Sequence, residues 1–313
     1  ETKSLKPVYE YLSKFFNVAF FKDYFSEETK NAIDRMSEGD FILLENLRIY
    51  EGEEKNSEHF ARQLASLGEI YVNDAFSVSH RNHASIIGVP KFLPSYAGIL
   101  FEEEVMNLSS AFNPEHPFLF ILGGAKFETK MPLIEKFLKL ADFVFVGGAL
   151  ANDFFKDKNY EIGLSVLSVK KFNLEKILNS DKLLLPVDVV VKNNQGVFIK
   201  RPSQVLKEDK ILDDGPETIL MLEKKLASSK FVLWNGPLGD YEKGFREGTV
   251  ELARTIARCR AKSIIGGGDT LAVVSKMNLE NKFSFISTGG GAMLDFLANE
   301  TLSGIEALEA SSS

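Results

Sequence analysis

Cysteine is almost missing from this chain. Cys259 is the only one among 313 residues, so no disulfide can form within them and a reducing compartment, the cytoplasm, is expected. It lies between Arg258 and Arg260 on the apolar side of a helical stretch and reads as a buried structural thiol. No apolar run approaches the roughly 20 residues of a membrane-spanning helix. No run of basic residues occurs either, and the net charge of −7 excludes a general affinity for nucleic acid. Any anionic ligand must be met by a local cluster of donors. Both common nucleotide fingerprints are absent: there is no Gly-x4-Gly-Lys-Ser/Thr, and no Gly-x-Gly-x-x-Gly follows a strand pattern.

The chain offers room for large cores instead. Hydrophobic content is 44% and charged content 26%, as in globular domains, and the length predicts two of them. A turn recurs along it. Ser263-Ile264-Ile265-Gly266-Gly267-Gly268-Asp269-Thr270 is an apolar run ending in three glycines, a carboxylate and a hydroxyl, with an amphipathic run from Leu271 to Met277 behind it. The pattern predicts a buried strand, a tight turn and a helix start. Asp269 or Thr270 is expected to cap that helix. A helix N-terminus favours phosphate, and Asp269 can hold a metal on it. One such turn is common in α/β proteins and weak evidence by itself. Four relatives of it occur, at Phe120 to Lys126, Phe143 to Gly148, Val232 to Pro237 and Phe285 to Gly291. The strands of a parallel sheet end on one edge, so five such ends predict a glycine-rich floor for a phosphate-bearing ligand.

In chain order, residues 5–16 read as a helix, 18–21 and 41–44 as strands, 58–67 as a helix and 70–72 as a third strand. Arg48 and Arg81 each fall just beyond a strand end; either one alone reads as a surface or salt-bridging arginine. His80 and His83 flank Arg81. With no third ligand nearby they read as packing or hydrogen-bonding groups rather than metal ligands. Residues 98–110 read as a connecting helix, with a second domain from 111. There the elements alternate: strand 118–122, helix 128–140, strand 143–146, helix 149–156, helix 167–179, a central strand over 183–191 interrupted by Pro186 and Asp188, and helix 216–227. Strand 231–234, helix 246–260, strand 263–265, helix 270–277, strand 283–286 and helix 291–298 complete it. Such alternation predicts a doubly wound parallel sheet.

The order of these stretches resembles the phosphoglycerate kinase family over essentially the whole chain. The stretches are Leu43 to Arg48, Asn73 to Phe76 leading to His80-Arg81-Asn82-His83, Leu122 to Lys126 with Lys130, and Leu184 to Asp188. Trp234 to Pro237, Ile265 to Thr270 and Ser287 to Ala292 follow. The resemblance implies two doubly wound Rossmann-like domains facing each other across a cleft and joined by an interdomain helix. Residues 1–96 with 299–313 would bind 3-phosphoglycerate or 1,3-bisphosphoglycerate, 97–110 would be the hinge, and 111–298 would bind ATP or ADP with Mg²⁺. By the family pattern Arg48 and Arg81 hold the phosphoglycerate. Lys130 meets the transferring phosphoryl group, Lys126 is a neighbouring phosphate contact and Gly124 a further nucleotide-binding position; Gly290 and Gly291, whose N–H groups open another helix, can also face the transferred group. Gly147 and Gly148 fall near the adenine. Gly215, Asn235, Pro237 and Glu242 match nucleotide positions, Glu242 on the ribose. Gly267, Gly268, Asp269 and Thr270 match the phosphate and magnesium corner, with Asp269 toward the metal.

The sequence also departs from the family. Ser77 stands where glycine is usual, and Asp240-Tyr241 where Val-Phe is usual. The family's opening segment, with its Asp-Phe-Asn, arginine and His-Leu-Gly-Arg stretches, has no counterpart here, and residues upstream of Glu1 are expected. The reaction implied is 1,3-bisphosphoglycerate + ADP ⇌ 3-phosphoglycerate + ATP, by direct in-line transfer in a monomer. It needs no general base, because a nucleotide phosphate and a carboxylate are both ionised at neutral pH. Positioning and electrostatics then carry catalysis. Apart from this role, Lys130 reads as an exposed lysine, poorly placed in the first turn of a helix. The alternative readings are an impaired nucleotide-binding fragment or scaffold on the same fold and, less well matched for want of the fingerprint, a nicotinamide dehydrogenase.

Overall fold

The computed structural model describes residues 4–170 and 172–311. Where the readings above touch residues 1–3, Lys171 or residues 312–313, they lie outside the described residues. The chain divides into two compact units: the described residues up to Glu102 with those from Thr301 onward, and Glu103–Glu300. Among the described residues no helix is long and apolar enough to cross a membrane.

In the first unit, β1 (Val18–Phe21) pairs parallel with β2 (Phe41–Leu44), and β3 (Tyr71–Asn73) with β4 (Ser95–Ala97). The helices between them start on serine caps. Ser26 accepts from the Thr29 N–H ahead of Glu27–Asp34, and Ser57 accepts from the Phe60 N–H ahead of Glu58–Ala65. The second helix turns Phe60 and Ala61 onto Ala84, with Phe25, Tyr50 and Phe92 packed around them. The helix Ser303–Ser311 closes the unit. Its Gly304 N–H donates to the Ser79 carbonyl at 2.8 Å. A Cβ there would lie 2.7 Å from that of Ser79, so only glycine allows this approach.

In the second unit the strands are β5 (Phe118–Leu122), β6 (Phe143–Val146), β7 (Leu183–Leu184), β8 (Val189–Asn193), β9 (Gly196–Lys200), β10 (Lys210–Asp214), β11 (Phe231–Asn235), β12 (Lys262–Gly266) and β13 (Phe285–Ser287). Six form one parallel sheet in the order β13-β12-β11-β5-β6-β7. All five residues of β5 are buried, which is why it reads as an unbroken apolar run. Alternation divides its side chains between two cores. Phe118 and Phe120 meet Phe137 of the helix Phe127–Leu140. Leu119 and Ile121 join Trp234, Leu222, Leu252 and Ile256 on the other face. Cys259 is half-buried beside that second core. The strand order reverses between β5 and β11, and there the carboxyl ends of the strands open a crevice.

Three readings of this unit need correction. The apolar run 183–191 is not one central strand. Pro186 offers no N–H to a ladder, and Asp188 turns its carboxylate to the N–H groups of Glu217 and Thr218 at the start of the helix Pro216–Leu226. The run therefore splits into β7, at the edge of the large sheet, and β8. Next, β8 belongs to an antiparallel sheet, β10-β8-β9, which the strict alternation of strands and helices did not anticipate. Its apolar side packs Val189, Val191 and Ile211 on Phe155. Lastly, residues 167–179 are helical only over Glu175–Leu178. Upstream, side chains of the preceding helix hold the chain instead: Asn152 donates to the Val166 carbonyl at 2.9 Å, and the Asp153 carboxylate accepts from the Ser168 N–H and hydroxyl.

Trp234 is the only tryptophan and is fully buried in β11, where its Nε1–H donates to the Gly236 carbonyl at 2.9 Å. Replacing it with phenylalanine leaves that acceptor unpaired and a small void, at a cost of about 2 kcal/mol. Urea unfolding followed by circular dichroism should show the lower midpoint. An unchanged midpoint would mean that the turn at Gly236 does not depend on this bond.

Candidate functional site

Register sets the floor of the site. Ser287, Gly266, Asn235, Leu122 and Val146 stand side by side as successive partners across five strands. The five glycine-containing turns therefore leave the sheet on one line. Around the reversal point they are laced together. The Gly123 N–H donates to the Asn235 carbonyl, Gly124 to Pro237 at 2.8 Å, and Gly147 to Leu122 at 2.9 Å. A Cβ on Gly123 would collide with the carbonyls of Pro237 and Gly236, and Gly236 itself has φ +92°. Side chains at either place would force the two turns apart.

Three helices begin on this edge without a side-chain cap: Phe127–Leu140, Gly268–Lys276 and Gly291–Asn299. Asp269 and Thr270 were expected to cap the second of these. They sit two and three residues too late, because the helix already starts at Gly268 and its N-cap is Gly267 at φ +98°. First-turn N–H groups of these helices thus have no side-chain acceptor and are the natural partners of an anion. The helix Pro216–Leu226 is different, since Asp188 occupies its start.

Lys130 is buried, not exposed as its position in the first turn suggested. Only 7% of it is accessible, and its Nζ donates to the Gly123 carbonyl. Burial pushes its ammonium down to about 8, against the upward pull of Asp269 and with a further push down from Lys126. A cation held this dry acts far more strongly on a nearby phosphate than one in water. Lys126 is exposed at the N-cap of the same helix.

A cavity of about 340 Å³ opens at the reversal point. Of the expected nucleotide residues, Gly124, Gly148, Pro237, Glu242 and Asp269 line it. Gly147 and Gly215 lie behind its wall, pressed against the carboxylates of Asp214 and Asp188. Asn235 is buried beneath the Gly267 turn, its Nδ2 facing the Met293 sulfur at 3.6 Å. Thr270 is buried as well, and its hydroxyl has no partner. Gly290 and Gly291 open their helix at the end of β13, outside the cavity lining. Just before them, the Thr288 N–H and hydroxyl donate to Glu104 at 2.7 and 3.0 Å. Asp240 lines the cavity but caps the turn Tyr241–Lys243 and pairs with Lys243 at 2.6 Å, so its charge is matched locally. Tyr241 in turn meets Lys276.

Sequence reasoning missed part of the wall. Lys210, Leu212 and Asp213 from β10 line the cavity, as do Leu238 and Gly239. Only the acidic doublet Asp213-Asp214 after an apolar pair marks that strand in the sequence, too short a signal to predict it.

The first unit holds the two arginines. Arg48 is exposed on the turn Leu47–Ile49, whose start Asn46 caps by accepting from the Arg48 N–H. Arg81 follows the turn Phe76–Val78, and its Nε is buried without a partner. Glu53, downstream of Arg48, accepts from the Ser85 N–H and hydroxyl and lies 3.6 Å from His83. It thereby ties together the segments that follow the two arginines. Ser77 adopts no positive φ, so glycine is not required there.

For a divalent metal, the expected donor is Asp269, one of the carboxylates that line the cavity with Asp213, Asp240 and Glu242. Among the described residues no group of three or more His, Cys, Asp and Glu side chains could hold a metal ion. One carboxylate suits magnesium when substrate phosphates and waters supply the remaining oxygens.

Known proteins resemble this chain in sequence and fold. The family described as phosphoglycerate kinase matches residues 1–300. The phosphoglycerate kinase of Pseudothermotoga lettingae is 40% identical over 320 residues, covering 97% of this chain and 81% of that protein. That of Pelotomaculum thermopropionicum is 41% identical over 322 residues, covering 98% and 82%. The solved phosphoglycerate kinase of Coxiella burnetii superposes with a TM-score of 0.85 at 36% identity, over 99% of this chain and 82% of its own. That of Pyrococcus horikoshii gives 0.86 at 29% identity, over 100% and 84%. Identity at this level across nearly the whole chain, joined to the same fold, shows that the chain belongs to the phosphoglycerate kinase family.

Proposed function

We propose that this chain is the glycolytic phosphotransferase of its family, catalysing 1,3-bisphosphoglycerate + ADP ⇌ 3-phosphoglycerate + ATP. The observation that carries the reading is the cavity at the strand-order reversal, flanked by a desolvated lysine and uncapped helix starts. Residues 111–298 form the nucleotide domain in this reading. The adenine and ribose lie along Gly148, Pro237 and Glu242, with Gly147, Gly215 and Asn235 supporting the wall from behind. The phosphates turn toward Gly124, Lys126, Lys130 and the start of the helix Gly268–Lys276. Residues 1–96 and 299–313 form the acid-binding domain, where Arg48 and Arg81 take the phosphoglycerate, and 97–110 is the hinge segment.

The chemistry asks little of these residues beyond placement. The nucleophile is an ionised phosphate or carboxylate oxygen, so no side chain has to remove a proton. Lys130 and the N–H groups of Gly290 and Gly291 stabilise charge on the transferring group, as fixed donors whose orientation cost was met in folding. Mg²⁺ held by Asp269 would neutralise nucleotide phosphate charge. Asp269 without such a partner would oppose the same phosphates, which supports the assignment.

Lys130→Ala should reduce kcat by about 10²-fold or more while weakening nucleotide binding much less, because its charge acts mainly on the transition state. A coupled assay of the full-length protein reads this directly, and an unaltered kcat would remove Lys130 from the mechanism.

Asp269→Ala should weaken Mg-nucleotide binding and leave phosphoglycerate binding nearly untouched. Calorimetric titration with and without Mg²⁺ separates the two. Retention of the full magnesium dependence in the variant would refute the metal assignment.

A further inference from the structure

Three buried acids stand in and behind the cavity wall, Asp213 lining it and Asp214 and Asp188 behind it. Asp213 and Asp214 are each 3% exposed and Asp188 is 2% exposed. Among the described residues none of the three is in a salt bridge with a lysine, arginine or histidine. Their partners are N–H groups and one hydroxyl. Asp188 caps the helix Pro216–Leu226 and accepts from the Thr218 hydroxyl. Asp214 accepts from the Gly148 N–H at 3.3 Å. Asp213 accepts from the Gly248 N–H at 3.1 Å and the Asp214 N–H at 3.0 Å.

A break in the β10 register between Ile211 and Asp213 bends the strand here, as bulges beside binding sites do. Asp213 then faces the cavity and Asp214 faces Gly147 and Gly148. A Cβ on Gly239 or Gly248 would run into the Asp213 carboxylate, at 2.5 and 2.6 Å. One side chain thus fits against the Gly239 turn and the first turn of the helix Glu247–Arg258, and Gly239 lines the cavity itself.

We propose that Asp213 is a positioning residue of the nucleotide site and that it takes up a proton when the nucleotide binds. This rests on the reading of the cavity as the nucleotide site. Its surroundings are already acidic. Asp214 adjoins it on β10, Asp188 approaches Asp214, and Glu247 stands at the start of the helix behind it. Asp240, Glu242 and Asp269 share the cavity lining, with Lys210 and the Asp240-paired Lys243 as its basic groups. Burial already pushes the Asp213 carboxyl up to about 6, opposed by the N–H groups of Gly248, Asp214 and Glu247 and aided by the Glu247 carboxylate. Burial, with Asp213 adding to it, holds Asp214 well above the usual carboxylate range. A phosphate-bearing anion entering this field makes ionised Asp213 costlier still. The proton comes from buffer, forms an O–H on the carboxyl group, and leaves its acceptor capacity toward Gly248 and Asp214 in place.

The sign follows from linkage. A ligand that raises an acid's pKa binds with proton uptake, and so binds more weakly as pH rises. For a rise of one unit from about 6, uptake is about half a proton at pH 6.5, and affinity at pH 8 is about fivefold below that at pH 6. The test is calorimetric titration of the full chain with ADP at saturating Mg²⁺, near pH 6.5, in two buffers of different ionisation enthalpy. Wild type should show this uptake, and Asp213→Asn should lose it together with the pH dependence. The KM for nucleotide should move and that for phosphoglycerate should not. Glu247 is exposed, so Glu247→Gln serves if the first variant fails to fold; it should shift the binding profile to lower pH. Equal proton counts in wild type and Asp213→Asn, or a profile unmoved by Glu247→Gln, would overturn the proposal while leaving the cavity assignment standing. No ADP binding by wild type would overturn both.

Discussion

Leu122 opposite Asn235, in parallel, is the pairing on which the site depends. It places the first strand of the large sheet beside the strand that begins its second half. Chain order therefore runs outward in both directions from this line, and the two turns that leave it diverge. The crevice exists because they diverge. Glycine at 123 and 236 lets the turns touch through backbone hydrogen bonds without filling the opening. The apolar runs of β5 and β11 hold the pairing, since each is buried along its whole length.

Charge within this unit is handled locally. The chain carries a net charge of −7, and in the proposed function its anionic ligands are met by helix starts without side-chain caps. The helices that begin at Phe127, Gly268 and Gly291 have no side-chain cap at their N-termini. The helix that begins at Pro216 has its donors taken by Asp188. The same fold thus makes open and closed helix starts a short distance apart in sequence, and the difference is whether a carboxylate from another element reaches them. Lys130 adds a single desolvated charge whose Nζ lies against the Gly123 carbonyl.

Buried acids do structural work of a related kind. Asp188, Asp213 and Asp214 each accept from backbone donors near glycine turns, in space that a Cβ would have filled. In the other unit Glu53 ties the segment after Arg48 to the one after Arg81. None of these residues announces itself by spacing, because each has at least one partner far away in the chain: Thr218 for Asp188, Gly248 for Asp213, Gly148 for Asp214 and Ser85 for Glu53.

The sequence by itself determined the parallel strands and most of their helices. Strands 18–21, 41–44, 118–122 and 143–146 coincide with the observed ones, since each is an unbroken apolar run, buried on both faces in the latter two, where glycine marks the end. Its family resemblance is likewise local, carried by short turns. Tertiary structure alone decided the division of 183–191 between two sheets, the irregular course of 167–174, the burial of Lys130 and the loss of Asp269 and Thr270 as caps. In the first three of these a group elsewhere in the fold claims a backbone or side-chain atom: Thr218 and Glu217 for Asp188, Asn152 and Asp153 for the chain at 166–168, and Gly123 for Lys130; in the last the helix starts earlier, at Gly268. Periodicity records which residues avoid water. It does not record which donor and acceptor meet once the chain has folded back on itself, and that choice shaped the cavity wall.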